Sequence, residues 1–198
     1  MQKKLIKIGE ISLPTKVGDF TMLVFQNKKN GKFASALVLG QVLGVSDVLV
    51  RVHSSCLTGD VFGSLLCDCG MQLEQALKMI FKEGRGVLIY LDQEGRGIGL
   101  GNKIKAMELQ QKGLDTVDAN LALGLPVDAR TFEEAAEILQ EIQVKSVKLL
   151  TNNPQKVKEL QGFGVKITQR VSVITQTPTI TLKYLKTKKE RMGHLLSL

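Results

Sequence analysis

Through residue 55 the apolar positions fall in short blocks that alternate with polar residues or end at turn residues, the two-residue period of strands. DFTMLVF (19–25), FASALVLG (33–40) and DVLVRVHS (47–54) predict a meander, and Asn30-Gly31 within NKKNGK predicts its hairpin turn. From Gly70 the period lengthens. Leu73, Ala76, Leu77 and Ile80 share one face of a helix that Gly84 closes, and GVLIYL (86–91) predicts a buried strand. NKIKAMELQQKG (102–113) predicts a helix ending at Gly113, and TFEEAAEILQEI (131–142) opens on a capping box, Thr131 with Glu134. SVKLLT (146–151) predicts a strand. NNPQKVKELQGFG (152–164) predicts a helix with Pro154 in its first turn and Gly162 past its end. A β meander followed by strand–helix alternation predicts an α+β protein, one compact domain over 1–198 with a basic tail from about 183 to 198.

Charge changes this picture more than bulk composition does. A net charge of +8 and a pI near 9.4 favour anionic partners, whether nucleic acid, membrane surface or phosphorylated small molecules. With no Trp and 5% aromatic residues, stacking platforms for single strands are scarce, which disfavours nucleic acid. No apolar run approaches the ~20 residues of a membrane helix, and MQKKLIKIGEIS lacks the apolar stretch of a secretory signal. Three cysteines without an export signal predict a reduced, cytoplasmic protein rather than a disulfide framework.

All three cysteines, Cys56, Cys67 and Cys69, fall within RVHSSCLTGDVFGSLLCDCG (51–70). In an extended CDC the side chains of Cys67 and Cys69 project to one side, and LTGD can turn Cys56 back to meet them. Three thiolates suit zinc. Three ligands with an open position make a catalytic site, whereas His53 as a fourth ligand would close a structural one, and core cysteines are the plain alternative. LIYLDQEGRGIGLGNK (88–103) sets glycines between a strand and a helix, with Arg96 and Lys103 placed to meet phosphate oxygens, although no dinucleotide or P-loop fingerprint is present. Asp128 and Arg130 precede a helix, and Thr151, Asn152 and Asn153 lead from a strand end into another with Lys156 in its first turn.

Together RVHSSCLTGDVFGSLLCDCG, QEGRGIGL, NKIKA, LDTVDAN, DAR, LLTNNPQKV and RMGH resemble GTP cyclohydrolase II, in order, from about residue 13 to the end. The resemblance implies a GTP cyclohydrolase II-like fold and a zinc enzyme of riboflavin synthesis. Such an enzyme opens the guanine imidazole ring of GTP at C8 and releases formate and pyrophosphate, leaving a diamino-ribosylaminopyrimidinone phosphate. It implies Mg²⁺ on the triphosphate and a homodimer. Cys56, Cys67 and Cys69 become the ligands of a catalytic zinc that activates water. Arg51, Val52, His53, Ser54, Ser55 and Gln72 line the nucleotide site, and Glu94, Gly95, Arg96, Thr116, Thr151 and Lys156 contact GTP. Asp128 takes the place of the proton acceptor, and Arg130 that of the residue assigned to attack at the α-phosphate. A guanidinium with a pKa above ~12 stays protonated, so Arg130 is read as holding phosphate charge, with covalent catalysis left open.

Four positions depart from the family pattern. Ser55 stands where Glu is usual, Asp92 where Arg is, Leu114 where Tyr is, and Met107 where a Tyr close to the metal is. A thioether is at best a weak acceptor and cannot replace a hydroxyl donor. The alternatives that follow are a reaction that stops at the formamidopyrimidine, and one that takes another purine nucleotide. A third is a nucleic-acid-binding module with structural zinc.

Overall fold

The computed structural model describes residues 3–175 and 178–196, so the extreme ends of the predicted domain and of its basic tail lie outside the described residues. The chain forms two compact units, each assembled from three separate stretches. A sheet unit takes the chain up to His53, then Glu74–Asp92 and Thr131–Val173. A second unit takes Ser54–Leu73, Gln93–Arg130 and the chain from Ile174 onward.

Seven strands build one mixed sheet, ordered β1-β2-β3-β5-β4-β6-β7. The meander is β2 (Asp19–Asn27) and β3 (Phe33–Leu39), joined by a loop in which Gly31 has φ +72° and donates to Asn27 O at 2.9 Å. The sheet extends one strand further than the apolar pattern predicts, to β1 (Leu5–Pro14), antiparallel to β2. Only Leu5 of β1 is buried, so backbone pairing with β2 defines this edge strand more than burial does. β5 (Gly86–Leu91) pairs antiparallel with β3, while β4 (Val48–Ser54), β6 (Val147–Leu150) and β7 (Ile167–Val171) run parallel.

Side-chain size sets the packing of the antiparallel half. Rows cross the sheet as Leu23, Ala36, Ile89 and as Phe25, Ala34, Leu91, with an alanine beside each pair of large neighbours. β4 is buried along nearly its whole length, as a parallel strand covered on both faces must be. The core continues through Ala135, Ala136, Ile138 and Leu139 of α4 (Glu133–Glu141) and Leu160 of α5 (Pro154–Gly162). Ala76 and Ile80 of α1 (Cys69–Glu83) are fully buried, and a Cβ on Gly86 would lie 3.0 Å from Ile80 and 2.6 Å from Leu49 O.

Two predicted helix ends differ. The capping box of α4 does not form: Phe132 is the cap position, Thr131 Oγ1 accepts a long 3.4 Å bond from Glu133 N, and Glu134 Oε1 accepts from Asn27 Nδ2 at 2.6 Å. A sheet partner has captured the carboxylate. Gly162 is the last residue of α5 rather than past its end, and the left-handed position falls on Gly164 (φ +86°). Pro154 is in the first turn as predicted, with Asn153 capping Gln155 N at 2.9 Å.

The second unit is largely helical: α2 (Leu100–Gln111), α3 (Thr116–Ala122) and α6 (Leu182–Met192), with single turns at Leu57–Val61, Glu94–Gly97 and Thr179–Thr181. Asp115 caps α3 and, with Asp118, pairs with Arg191 of α6. Thr181 Oγ1 donates to Leu65 O at 2.6 Å. Among the described residues no helix is long and apolar enough to cross a membrane.

Candidate active site around three cysteines

The three thiols meet through a tight turn and a helix start, all in the second unit. Beyond Cys56 the chain coils through Leu57–Val61, closed by Asp60 N donating to Cys56 O at 2.7 Å and Cys56 N donating to the Asp60 carboxylate at 3.0 Å. Cys67 precedes α1 and Cys69 is its first residue, so a helix start aligns the pair rather than the extended CDC that the sequence suggests. Two glycines permit the approach. A Cβ on Gly59 would lie 2.9 Å from Cys67 Sγ and 3.2 Å from Cys56 Sγ, and one on Gly70 would lie 2.2 Å from Gly59 O.

The three Sγ atoms lie within 4.8 Å of one another, the one group of three or more such ligands among the described residues. Cys56 and Cys67 are unbridged, with Sγ atoms 3.7 Å apart. Tetrahedral zinc with Zn–S bonds of about 2.3 Å sets its sulfurs about 3.8 Å apart, so the donor set and its spacing fit that ion. The converging ligand atoms are thiols alone. His53, predicted as a possible fourth ligand, belongs to the sheet unit and stacks on Tyr90 at 5.5 Å.

Charge within the cluster is uneven. Hydrogen bonds from Cys67 and Cys69 hold the Cys56 thiol far below its ordinary value, with the Lys103 charge adding to them. The shared bonds with Cys56 push Cys67 up to about 11 and Cys69 well above the usual range. The sequence pattern assigns Lys103 to phosphate; here its Nζ donates to Cys56 Sγ at 3.2 Å, Thr58 Oγ1 at 2.9 Å and Glu94 Oε1 at 2.8 Å. Burial lowers the Lys103 pKa, but Glu94 and Cys56 outweigh it and bring it up to about 12. Glu94 is itself engaged: one oxygen accepts from Leu57 N at 2.6 Å and the other from Gly95 N at 2.8 Å.

A second group of charges gathers in the same unit. Asp68, between two of the cysteines and 2% exposed, accepts from Lys188 Nζ at 2.8 Å and from Gln72. Lys188 also lies 4.8 Å from the Tyr184 ring centroid, and the Arg96 guanidinium lies 5.9 Å from it. Arg96 (φ +61°) follows left-handed Gly95; its two terminal nitrogens are buried and have no hydrogen-bond partner among the described residues. Gly97 lets this loop close on Ala129, where a Cβ would lie 3.0 Å from backbone atoms, and Ala129 N donates to Arg96 O at 3.0 Å. Next to it Arg130 binds both oxygens of Asp128, with Nε at 2.9 Å from one. Burial alone would raise Asp128, but the Arg130 hydrogen bond and charge hold it below the usual carboxylate range. Burial, then Lys188, Arg130 and Arg96, push His194 down to about 3.

The remaining predicted residues divide between the units. In the sheet unit, Arg51, Val52, His53, Thr151 and Lys156 come to adjoining ends of β4 and β6 and the start of α5. Arg51 donates to Leu150 O at 3.0 Å and Lys156 Nζ to Val52 O at 2.7 Å. In the second unit, Ser55 Oγ accepts from Gln93 N at 3.0 Å, Ser54 Oγ reaches Gln93 Oε1 at 3.4 Å, and Thr116 Oγ1 reaches Gln110 Oε1 at 3.4 Å. Met107 is half-buried, one helical turn beyond Lys103 on the same face of α2. Sequence reasoning passed over Asp68, Gly59, Tyr184 and Lys188. The first two sit inside the cysteine block, where neighbouring thiols mask them, and the others sit in a tail read for its charge and its terminal RMGH.

A sequence model of the GTP cyclohydrolase II family matches residues 6–172. GTP cyclohydrolase-2 of Buchnera aphidicola is 52% identical over 193 residues, 98% of each chain. The riboflavin biosynthesis protein RibBA of Salinispora tropica is 50% identical over 98% of this chain and 49% of its own, and RibBA of Bacillus subtilis 53% identical over 94% and 47%. The chain thus spans about half the length of these RibBA relatives and nearly all of the Buchnera protein. The crystal structure of RibBX, described as a two-domain 3,4-dihydroxy-2-butanone 4-phosphate synthase from A. baumannii, superposes with a TM-score of 0.53 at 18% identity, covering 86% of this chain and 41% of that one, a likeness of fold. With most of its length matched and a near-full-length relative at this identity, the chain belongs to the GTP cyclohydrolase II family.

Proposed function

We propose that the chain hydrolyses GTP, opening the guanine ring at C8 with loss of formate and pyrophosphate, as a step of riboflavin synthesis. The observation that carries this reading is the convergence of three thiols at zinc-like spacing in the unit that also holds the partnerless guanidinium nitrogens of Arg96. Cys56, Cys67 and Cys69 would hold the zinc, which would supply Lewis acidity and acidify water toward neutral pH. Guanine C8 lies between two nitrogens, which makes it the carbon that water attacks.

The chain's own residues bind and orient. Arg96 offers its free N–H groups to phosphate oxygens, where charge-assisted bonds are strongest. Arg130 stays protonated beside Asp128 and holds charge that develops on the phosphate, and ionised Asp128 is a proton acceptor. Arg51, Val52, His53, Ser54, Ser55, Gln72, Glu94, Gly95, Thr116, Thr151 and Lys156 are the further nucleotide contacts assigned by the family resemblance. Mg²⁺ on the triphosphate, a homodimer and a cytoplasmic setting belong to the same reading.

A second reading is favoured by one observation: the position one turn from Lys103 carries a thioether instead of a hydroxyl. Here Met107 leaves the formamide step without its hydrogen bond, and the product keeps its formyl group. Zinc-loaded protein incubated with GTP and Mg²⁺, followed by mass spectrometry and a formate assay, separates the two. Deformylated pyrimidine with formate supports the first reading, and formylated product the second. Absence of GTP turnover, with zinc bound, overturns both.

A further inference from the structure

We propose that Lys103 is the positioning residue of the metal centre, a fixed cation that offsets the surplus negative charge of three thiolates and sets how strongly Cys56 donates to the ion. The inference rests on the zinc reading above and goes beyond its ligand set. Three thiolates around a divalent ion leave one net negative charge. In a half-buried loop that charge needs a counterion, and an electron-rich thiolate set blunts the acidity of the ion it holds. Lys103 meets both at Cys56, with its ammonium shared between that sulfur and the Glu94 carboxylate. Its Nζ donates to Cys56 Sγ at 3.2 Å, within the range of a hydrogen bond to sulfur, and its side chain is 14% exposed.

The ammonium is held in place from three sides. Thr58 Oγ1, inside the turn that follows Cys56, lies 2.9 Å away, and Glu94 Oε1 lies 2.8 Å away. Glu94 in turn accepts from Leu57 N, the residue next to Cys56, and from Gly95 N. One carboxylate therefore ties the cation, the cysteine turn and the glycine loop together. A free phosphate-binding lysine would leave its donors open, whereas the three donors of this ammonium each have a partner.

The test compares wild type, Lys103→Met, Lys103→Gln and Lys103→Arg in two measurements: zinc affinity by chelator competition, and the sulfur-to-metal charge-transfer bands of the Co²⁺-loaded protein. K103M is expected to bind zinc about 10–100-fold more weakly, the usual loss when an outer partner of a ligand is removed. Its charge-transfer band is expected to move to lower energy, because a thiolate freed of its donor gives up an electron more easily. K103R, which keeps charge and donors, should restore most of both. K103Q keeps a donor without charge and should fall between; it is the deciding variant if K103M does not fold. A folded K103M or K103Q with wild-type affinity and an unmoved band overturns the proposal while the zinc reading stands. A wild-type protein that binds neither ion overturns the zinc reading itself.

Discussion

Replacing Lys188 with methionine keeps most of the length and apolar stem of the side chain and removes the ammonium that Asp68 faces at 2.8 Å. Asp68 is 2% exposed, and Gln72 would be left to hold a buried carboxylate without its cation. Breaking a buried pair in this way costs ~3–5 kcal/mol, most of it the unpaired charge. At roughly 2–4 °C per kcal/mol for a chain of this size, the loss corresponds to roughly 6–20 °C in Tm. Lys188→Met combined with Asp68→Asn removes both charges, so the pair should fall short of additivity by ~1–3 kcal/mol. Chemical denaturation of metal-free protein is the assay, since bound metal would shift both states by linkage.

The pH dependence has a defined sign. Burial raises the Asp68 pKa, but the charge and hydrogen bond of Lys188 more than offset it, leaving it below its ordinary value. Its contribution is therefore present above the unfolded carboxyl pKa of about 3.9 and fades as pH falls through that range. Burial lowers the Lys188 pKa, while Tyr184 and Asp68 raise it further, to above its ordinary value. Its contribution is full below the unfolded lysine pKa of about 10.4 and is lost only at higher pH. Without Lys188 the buried Asp68 carboxyl of K188M is left raised, so the gap between wild type and K188M should be largest toward about pH 9 and begin to narrow above the ordinary carboxyl range as pH falls. A loss below ~1 kcal/mol, or additive single and double variants, would refute the reasoning.

Gly59→Ala puts a Cβ 2.9 Å from Cys67 Sγ, so zinc content measured on purified protein should fall well below one ion per chain; full occupancy contradicts the close-approach account. Met107→Tyr should raise the formate released per GTP consumed if the truncated reaction is the native one, and an unchanged ratio removes that reading. Leu149→Ala empties a fully buried position of β6 and should cost ~2–5 kcal/mol by denaturation, whereas a cost below ~1 kcal/mol would mean the sheet repacks around it.

The two-residue period over β2 and β3 and the longer period over α1 were legible because each element buries one regular set of side chains, whereas β4 was legible as a short apolar run buried on both faces. The meeting of the three cysteines was legible for a different reason: their spacing is local and their residue type is unusual in such density, whereas the glycine loop and the DAR segment carried meaning only through the family resemblance. β1 was not, since most of its side chains face water and its partner is backbone. The capping box of α4 failed because Asn27, more than a hundred positions away, takes the Glu134 carboxylate, a competition no local pattern records.

By itself the sequence determined the three clustered thiols, the positive balance and the order of the elements with a regular apolar pattern. Tertiary structure decided what the charged side chains meet. Lys103, predicted for phosphate, turns to Cys56 and Glu94, and Lys188 reaches Asp68 across 120 positions. Partner choice of this kind depends on burial, because a charge removed from water binds whichever opposite charge the fold brings within hydrogen-bond reach.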